Sequence, residues 1–130
     1  MFTERDDLSF ETRGLHVDVN VVFTGKKDNL LTLGFGKGLV ELCSLVKDKG
    51  SLNKAAYEMG MSYSKAWQMI RNAEKILGVE LLERKGAKGS DITEEAQELI
   101  RSYEAIRHEL SGEAEAMTLE MMDRIHECSK

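Results

Sequence analysis

The sequence has no proline among its 130 residues. No helix interior is therefore broken by a missing backbone N–H, and long helices are permitted. Cysteine is scarce as well: only Cys43 and Cys128 occur, far apart. Two distant thiols do not make a disulfide framework, so two reduced thiols in a cytoplasmic protein are expected. The apolar runs are far shorter than the roughly 18 residues a membrane span needs, and no membrane partner is expected. The opening Met1-Phe2-Thr3-Glu4-Arg5-Asp6-Asp7 is polar and acidic, unlike a secretory signal.

Clusters of chemically active side chains are also lacking. His16, His108 and His126 are scattered. His126 and Cys128 stand close together, but two ligands do not complete a structural zinc site. Glu104 and His108 share a helix face without a third group to form a catalytic set. Gly34-Phe35-Gly36-Lys37-Gly38 places glycines beside a lysine. No Ser or Thr follows a Gly-Lys pair, and Leu39 stands where a dinucleotide fingerprint needs glycine. The expectation is a protein without catalytic residues, metal or cofactor.

The net charge is −5, which by itself argues against a nucleic-acid partner. Its distribution argues otherwise. Residues 50–90 carry seven basic and four acidic groups, whereas residues 91–130 carry four basic and eleven acidic ones. A local excess is what phosphates meet, because charges beyond a Debye length of about 8 Å are largely screened.

Periodicity divides the chain into three parts. Residues 1–13 are charged and aperiodic, and read as a flexible tail. Residues 14–92 read as one domain. Leu15, Val17, Val19, Val21 and Phe23 alternate with polar residues, as a half-buried strand does. Thr24 to Asn29 is a turn, and Leu30 to Leu33 can return as the second strand of a hairpin. A first helix follows with Leu39, Leu42, Cys43 and Val46 on its core face, ending near Gly50. Ser51 can cap a second helix reaching Met59, and Ser62 a third from Tyr63 to Leu77. Glu80 to Arg84 and Asp91 to Thr93 read as short strands around the basic turn Lys85 to Ser90. Residues 93–130 read as a helical segment, with a long helix from Thr93 to about Gly112 and a further helical stretch beyond.

The second and third helices form a helix-turn-helix pattern. Steep crossing of two short helices requires small contact residues and a turn position tolerant of positive φ. Ala55, Ala56, Ala66 and Ala73 supply the former, and Gly60 the latter. Ser64, Gln68, Arg71 and Lys75 are spaced by four, three and four, which makes one polar stripe opposite the apolar face. Such a stripe suits major-groove reading. Ser64 and Gln68 can address base edges, while Lys65, Arg71 and Lys75 can meet phosphates, or guanine in the case of Arg71. Tyr63 can reach phosphate through its hydroxyl or pack. Trp67 reads as a packing residue. Lys85 and Lys88 lie at the tip of a candidate wing. A solvated helix face and an ordinary charged hairpin are the plainer alternatives.

Gly50-Ser51-Leu52-Asn53-Lys54-Ala55-Ala56, Gly60-Met61-Ser62-Tyr63-Ser64-Lys65-Ala66-Trp67, Leu81-Leu82-Glu83-Arg84 and Asp91-Ile92-Thr93-Glu94-Glu95-Ala96 together resemble the N-terminal domain of ModE-type molybdate-responsive regulators. They are more distantly similar to the LysR-type helix-turn-helix. The resemblance covers roughly residues 15–110. It implies a dimeric winged helix whose post-wing helix is the dimer interface. It places DNA contacts on Ser62, Tyr63, Ser64, Lys65, Gln68 and Arg71, with the wing at Lys85 to Ser90. ModE-type regulators sense molybdate through separate C-terminal β-rich domains. This chain leaves no room for one, so molybdate is not expected to bind it alone.

Spacing within the last segment also points to self-association. Ala96, Leu99, Tyr103, Ile106 and Leu110 are spaced three, four, three, four, like the seam of a coiled coil. After Gly112 the seam shifts phase to Ala114, Met117 and Met121. The same seam can instead pack on its own domain. The expected fold is mainly α with small β (α+β): a winged helix-turn-helix with an N-terminal β-hairpin and a long C-terminal dimerisation helix. The expected function is a homodimeric regulator acting on double-stranded DNA, with a link to molybdate transport or molybdenum metabolism. The alternative is a winged-helix module that binds protein and not DNA.

Overall fold

The computed structural model describes residues 15–27, 30–31 and 34–129. The expected flexible tail over residues 1–13 lies outside the described residues, as do parts of the expected hairpin, 28–29 and 32–33. Asn20–Glu104 forms one compact unit, and residues 15–19 and 105–129 belong to a second.

The first unit opens with two short antiparallel ladders. Strand β1 (Val22–Phe23) pairs with β4 (Phe35–Gly36), and β2 (Lys26–Lys27) pairs with β3 (Leu30–Leu31). The alternation from Leu15 to Phe23 predicts a longer strand than is found, since residues 15–21 carry no regular element. The reason lies across the ladder. Val22 faces Gly36, and helix α1 (Lys37–Lys49) begins at the next residue. A strand cannot extend past the end of its facing strand.

Helix α1 buries Leu39, Leu42, Cys43 and Val46, the stripe that its spacing predicts, and Val40 beside it. Lys47 and Lys49 stand in its last turn, where cations complement the helix dipole. The N–H of Gly50 closes it by donating to the Val46 carbonyl at 2.8 Å. Helix α2 (Leu52–Glu58) starts on Ser51, whose hydroxyl accepts from the Lys54 N–H at 3.1 Å. It presents Leu52, Ala55 and Ala56 to the core. Gly60, with φ of +69°, turns the chain toward helix α3 (Tyr63–Leu77). Ser62 caps α3 by accepting from the Lys65 N–H at 3.1 Å. Ala66, Ile70 and Ala73 complete a buried cluster with Leu42, Cys43 and Val46. With alanines at the contact, the three helices approach closely.

Strands β5 (Leu82–Arg84) and β6 (Ser90–Ile92) form the wing, in register Leu82 to Ile92 and Arg84 to Ser90. A single 3-10 turn over Gly86–Lys88 makes its tip. The Ser90 N–H donates to the Gly50 carbonyl at 2.9 Å, so the wing is fastened to the α1–α2 junction. Thr93 then does two jobs. Its hydroxyl donates to the Glu80 carbonyl at 2.7 Å and accepts from the Ala96 N–H at 3.1 Å. It thereby caps helix α4 (Glu94–Cys128), whose first turn carries Glu94 and Glu95.

Helix α4 runs unbroken through Gly112, where the sequence suggests a division. A mid-helix glycine costs only about 1 kcal/mol against alanine, less than leaving a helix end uncapped on both sides of a break. The architecture is thus the α+β winged helix that the sequence implies, with a small antiparallel hairpin and a long C-terminal helix.

Candidate nucleic-acid interface

Helix α3 has two opposite faces. Ala66, Ile70 and Ala73 are buried, whereas Ser64, Gln68, Arg71 and Lys75 are exposed. The latter four stand in one row, because steps of four, three and four return to the same side of a 3.6-residue turn. Lys65 and Asn72 flank the row on one side, and the Gln68 amide donates to the Asn72 side-chain oxygen at 3.2 Å. Tyr63, Trp67 and Glu74 flank it on the other.

This second flank meets the wing. The Leu81 N–H donates to Oε2 of Glu74 at 2.8 Å. Arg84 of β5 donates to the Tyr63 hydroxyl at 3.2 Å and lies over the Trp67 ring, 5.2 Å from its centroid. Arg71 lies over the same ring at 5.3 Å. The exposed Glu80 lines one hollow with Arg71 and Lys75, and Glu74 lies on the same flank. The Glu74 side chain is only 13% exposed and is engaged by Leu81 and, at 3.5 Å, by Arg71. Glu74 is thereby drawn off the row, whose own members are positive or neutral.

The remaining expected residues fall as follows. Ser62 is exposed, with its hydroxyl oxygen engaged in the helix cap. Tyr63 is half-exposed, and its hydroxyl is spoken for by Arg84 rather than idle. Lys85 is exposed beside the wing tip. Lys88 lies in the 3-10 turn, and its side chain is outside the described set. The seam on α4 is split. Ala96 and Tyr103 are buried in their own unit, Leu99 packs against the same core, and Ile106 and Leu110 are exposed. Phe23 explains part of this, since its ring lies 6.3 Å from that of Tyr103 and 5.4 Å from that of Phe35.

Two residues of this surface escape a reading of the sequence. Trp67 reads as a core residue. It does pack on the core, but half-buried at its edge, with two guanidinium groups over the ring. The Arg71 contact is legible as an i,i+4 pair. The Arg84 contact spans seventeen residues and depends on where the wing lands.

Among the described residues no group of three or more His, Cys, Asp or Glu side chains could hold a metal. No helix among the described residues is long and apolar enough to cross a membrane.

A capped helix-turn-helix, an exposed basic row and an adjoining two-stranded wing define a winged helix-turn-helix of the DNA-binding class. Residues 39–97 match the family described as bacterial regulatory helix-turn-helix protein, lysR family. The match runs from the first turn of α1 through the wing to the first turn of α4, and so covers the whole of this surface. The region is accordingly a DNA-binding domain of the kind found in transcription regulators. No curated protein matches the chain.

Proposed function

We propose that this protein is a homodimeric, ModE-like transcriptional regulator that lays α3 in the major groove of double-stranded DNA and its wing on the adjoining backbone. The observation that carries this reading is the exposed row Ser64, Gln68, Arg71 and Lys75, which contains no acid and from which the flanking Glu74 is drawn off toward Leu81. Ser64 and Gln68 meet base edges. Lys65, Arg71 and Lys75 neutralise phosphates, with Arg71 also able to grip guanine. Ser62 and Tyr63 sit at the N-terminal end of α3, and Lys85 and Lys88 extend the contact along the wing.

Self-association rests on α4. With Ala96, Leu99 and Tyr103 drawn into the unit's own packing, Ile106 and Leu110 are the seam positions available to a second copy. The molybdenum link rests on the resemblance of residues 50–96 to ModE-type regulators.

Fluorescence anisotropy with a labelled duplex tests the reading. Lys65→Ala and Arg71→Ala should each weaken binding, and the wild-type affinity should fall steeply with salt through counterion release. Wild-type affinity in both variants removes α3 as the reading element. Footprinting on promoters of molybdate-transport genes tests the biological role, and absence of protection there separates this protein from ModE-type regulation.

A further inference from the structure

Arg71 and Arg84 come from different elements, α3 and the wing, yet each lies within 5.3 Å of the centroid of one indole. Bringing two cations together is unfavourable unless something negative offsets them. Glu74 accompanies Arg71 at 3.5 Å. Among the described residues no carboxylate lies within ion-pair distance of Arg84; its polar partner is the neutral Tyr63 hydroxyl.

We propose that Trp67 and Arg84, with Tyr63 and Arg71, form a phosphate clamp that grips the DNA backbone where α3 meets the wing. This rests on the DNA-reading function proposed above. A guanidinium stacked on an aromatic face keeps its N–H edge in plane and directed outward, ready for a two-pronged contact with a phosphodiester. Stacking also fixes a side chain that would otherwise lose rotamer freedom on binding. Trp67 is the positioning residue: it orders one arginine from each element and so couples the helix to the wing. Arg84 and Arg71 make the contacts. Tyr63 sets the rotation of Arg84 through the 3.2 Å hydrogen bond.

The chain's single tryptophan makes the clamp directly observable. The probe is a short random-sequence duplex, because phosphate contacts do not depend on sequence. Wild-type protein should bind it with a change in Trp67 emission. Arg84→Ala should bind roughly five- to tenfold more weakly, with the slope of log affinity against log salt reduced by about 0.9, the value for one phosphate. Arg84→Lys should keep the slope and recover part of the affinity. Trp67→Phe should keep the slope and lose a few-fold in affinity, because it loosens the arginines without removing their charge. A purely structural Arg84 would leave the slope unchanged. An Arg84→Ala variant that melts like wild type and retains both affinity and slope overturns the clamp while leaving α3 as the reader. Failure of the wild type to bind any duplex overturns the DNA-reading function and the clamp with it.

Discussion

The backbone N–H of Leu81 donates to Oε2 of Glu74 at 2.8 Å, joining the base of the wing to the flank of the recognition helix. The bond is charge-assisted and partly buried, and bonds of that type contribute about 1.5–3 kcal/mol. Glu74→Ala should lower stability by about that amount in urea denaturation, and Glu74→Gln by less, since an amide oxygen can still accept. Glu74 also places a negative charge 3.5 Å from Arg71. Glu74→Gln should therefore raise affinity for a random-sequence duplex roughly two- to fivefold, the scale of a screened surface charge pair. Equal stability in all three proteins would show that the tie between wing and helix is energetically idle.

Gly89 and Gly60 both adopt positive φ, +104° and +69°. Their surroundings differ. A Cβ on Gly60 meets nothing within 4 Å, whereas one on Gly89 collides with the Gly50 carbonyl oxygen. That oxygen is the acceptor for Ser90. Gly60→Ala should cost about 1 kcal/mol, the penalty for a left-handed backbone with a side chain. Gly89→Ala must in addition push the wing off the α1–α2 junction. Hydrogen exchange should show faster exchange at the Ser90 amide in Gly89→Ala and an unchanged wing in Gly60→Ala. Similar destabilisation by the two substitutions, with a protected wing in both, would refute the fastening role of Ser90.

Ser62 caps α3 through the Lys65 N–H at 3.1 Å. Ser62→Ala should cost about 1 kcal/mol, and Ser62→Asp should retain most of the stability, since aspartate caps as well as serine. The two differ in charge. Ser62→Asp places a negative group at the end of α3 proposed to enter the groove, so it should bind DNA more weakly than Ser62→Ala despite being more stable. Thermal melts and anisotropy on the same samples separate the two effects. Tighter binding by Ser62→Asp would place the N-terminus of α3 away from phosphates.

The three short helices were legible because their signals are local. Ser51 and Ser62 cap the residues three ahead of them, and Gly60 and Gly78 stand at the turns that end α2 and α3. The exposed row of α3 follows from spacing alone. What was not legible is set by distant parts of the chain. Val17, Val19 and Val21 alternate like a strand, but the length of β4 limits the ladder. Ala96 and Tyr103 repeat like a dimer seam, but Phe23 and the core occupy that side of α4. Arg84 carries no local mark, because its place over Trp67 exists only once the wing has docked.

Cys43 is fully buried, and burial, aided by the nearby negative charge of Glu74, pushes its thiol up to about 12 from the ordinary value of 9.0. The folded protein thus holds the proton more tightly than the unfolded chain. Stability is unaffected by this group below about pH 9. Above it the unfolded thiol ionises first, so stability should fall by up to about 1.4 kcal/mol per pH unit until the folded thiol ionises as well. Cys43→Ala should flatten this alkaline decline while creating a small cavity. Cys128 is exposed. A thiol reagent at neutral pH should therefore modify one cysteine rapidly in the native protein and both in urea. Two fast thiols in the native protein would contradict the burial of Cys43.

Continuity of α4 through Gly112 turns an apparent phase shift into a repeat. Ile106 and Met117 are eleven residues apart, as are Leu110 and Met121, and all four are exposed. An eleven-residue repeat gives 3.67 residues per turn, so the stripe stays on one side of an almost straight helix. Two copies meeting along it would bury all four side chains, at about 1.5–3 kcal/mol for each. Leu110→Glu with Met121→Glu should then weaken self-association by roughly 3 kcal/mol or more, a hundredfold or greater, and give a monomer in analytical ultracentrifugation. Its circular dichroism should match wild type. Leu99→Glu is expected to behave differently: Leu99 packs on the core, so that variant should lose stability before it loses the dimer. A wild-type protein that sediments as a monomer would overturn self-association, and a Leu110→Glu, Met121→Glu protein that still sediments as a dimer would move the interface off this stripe.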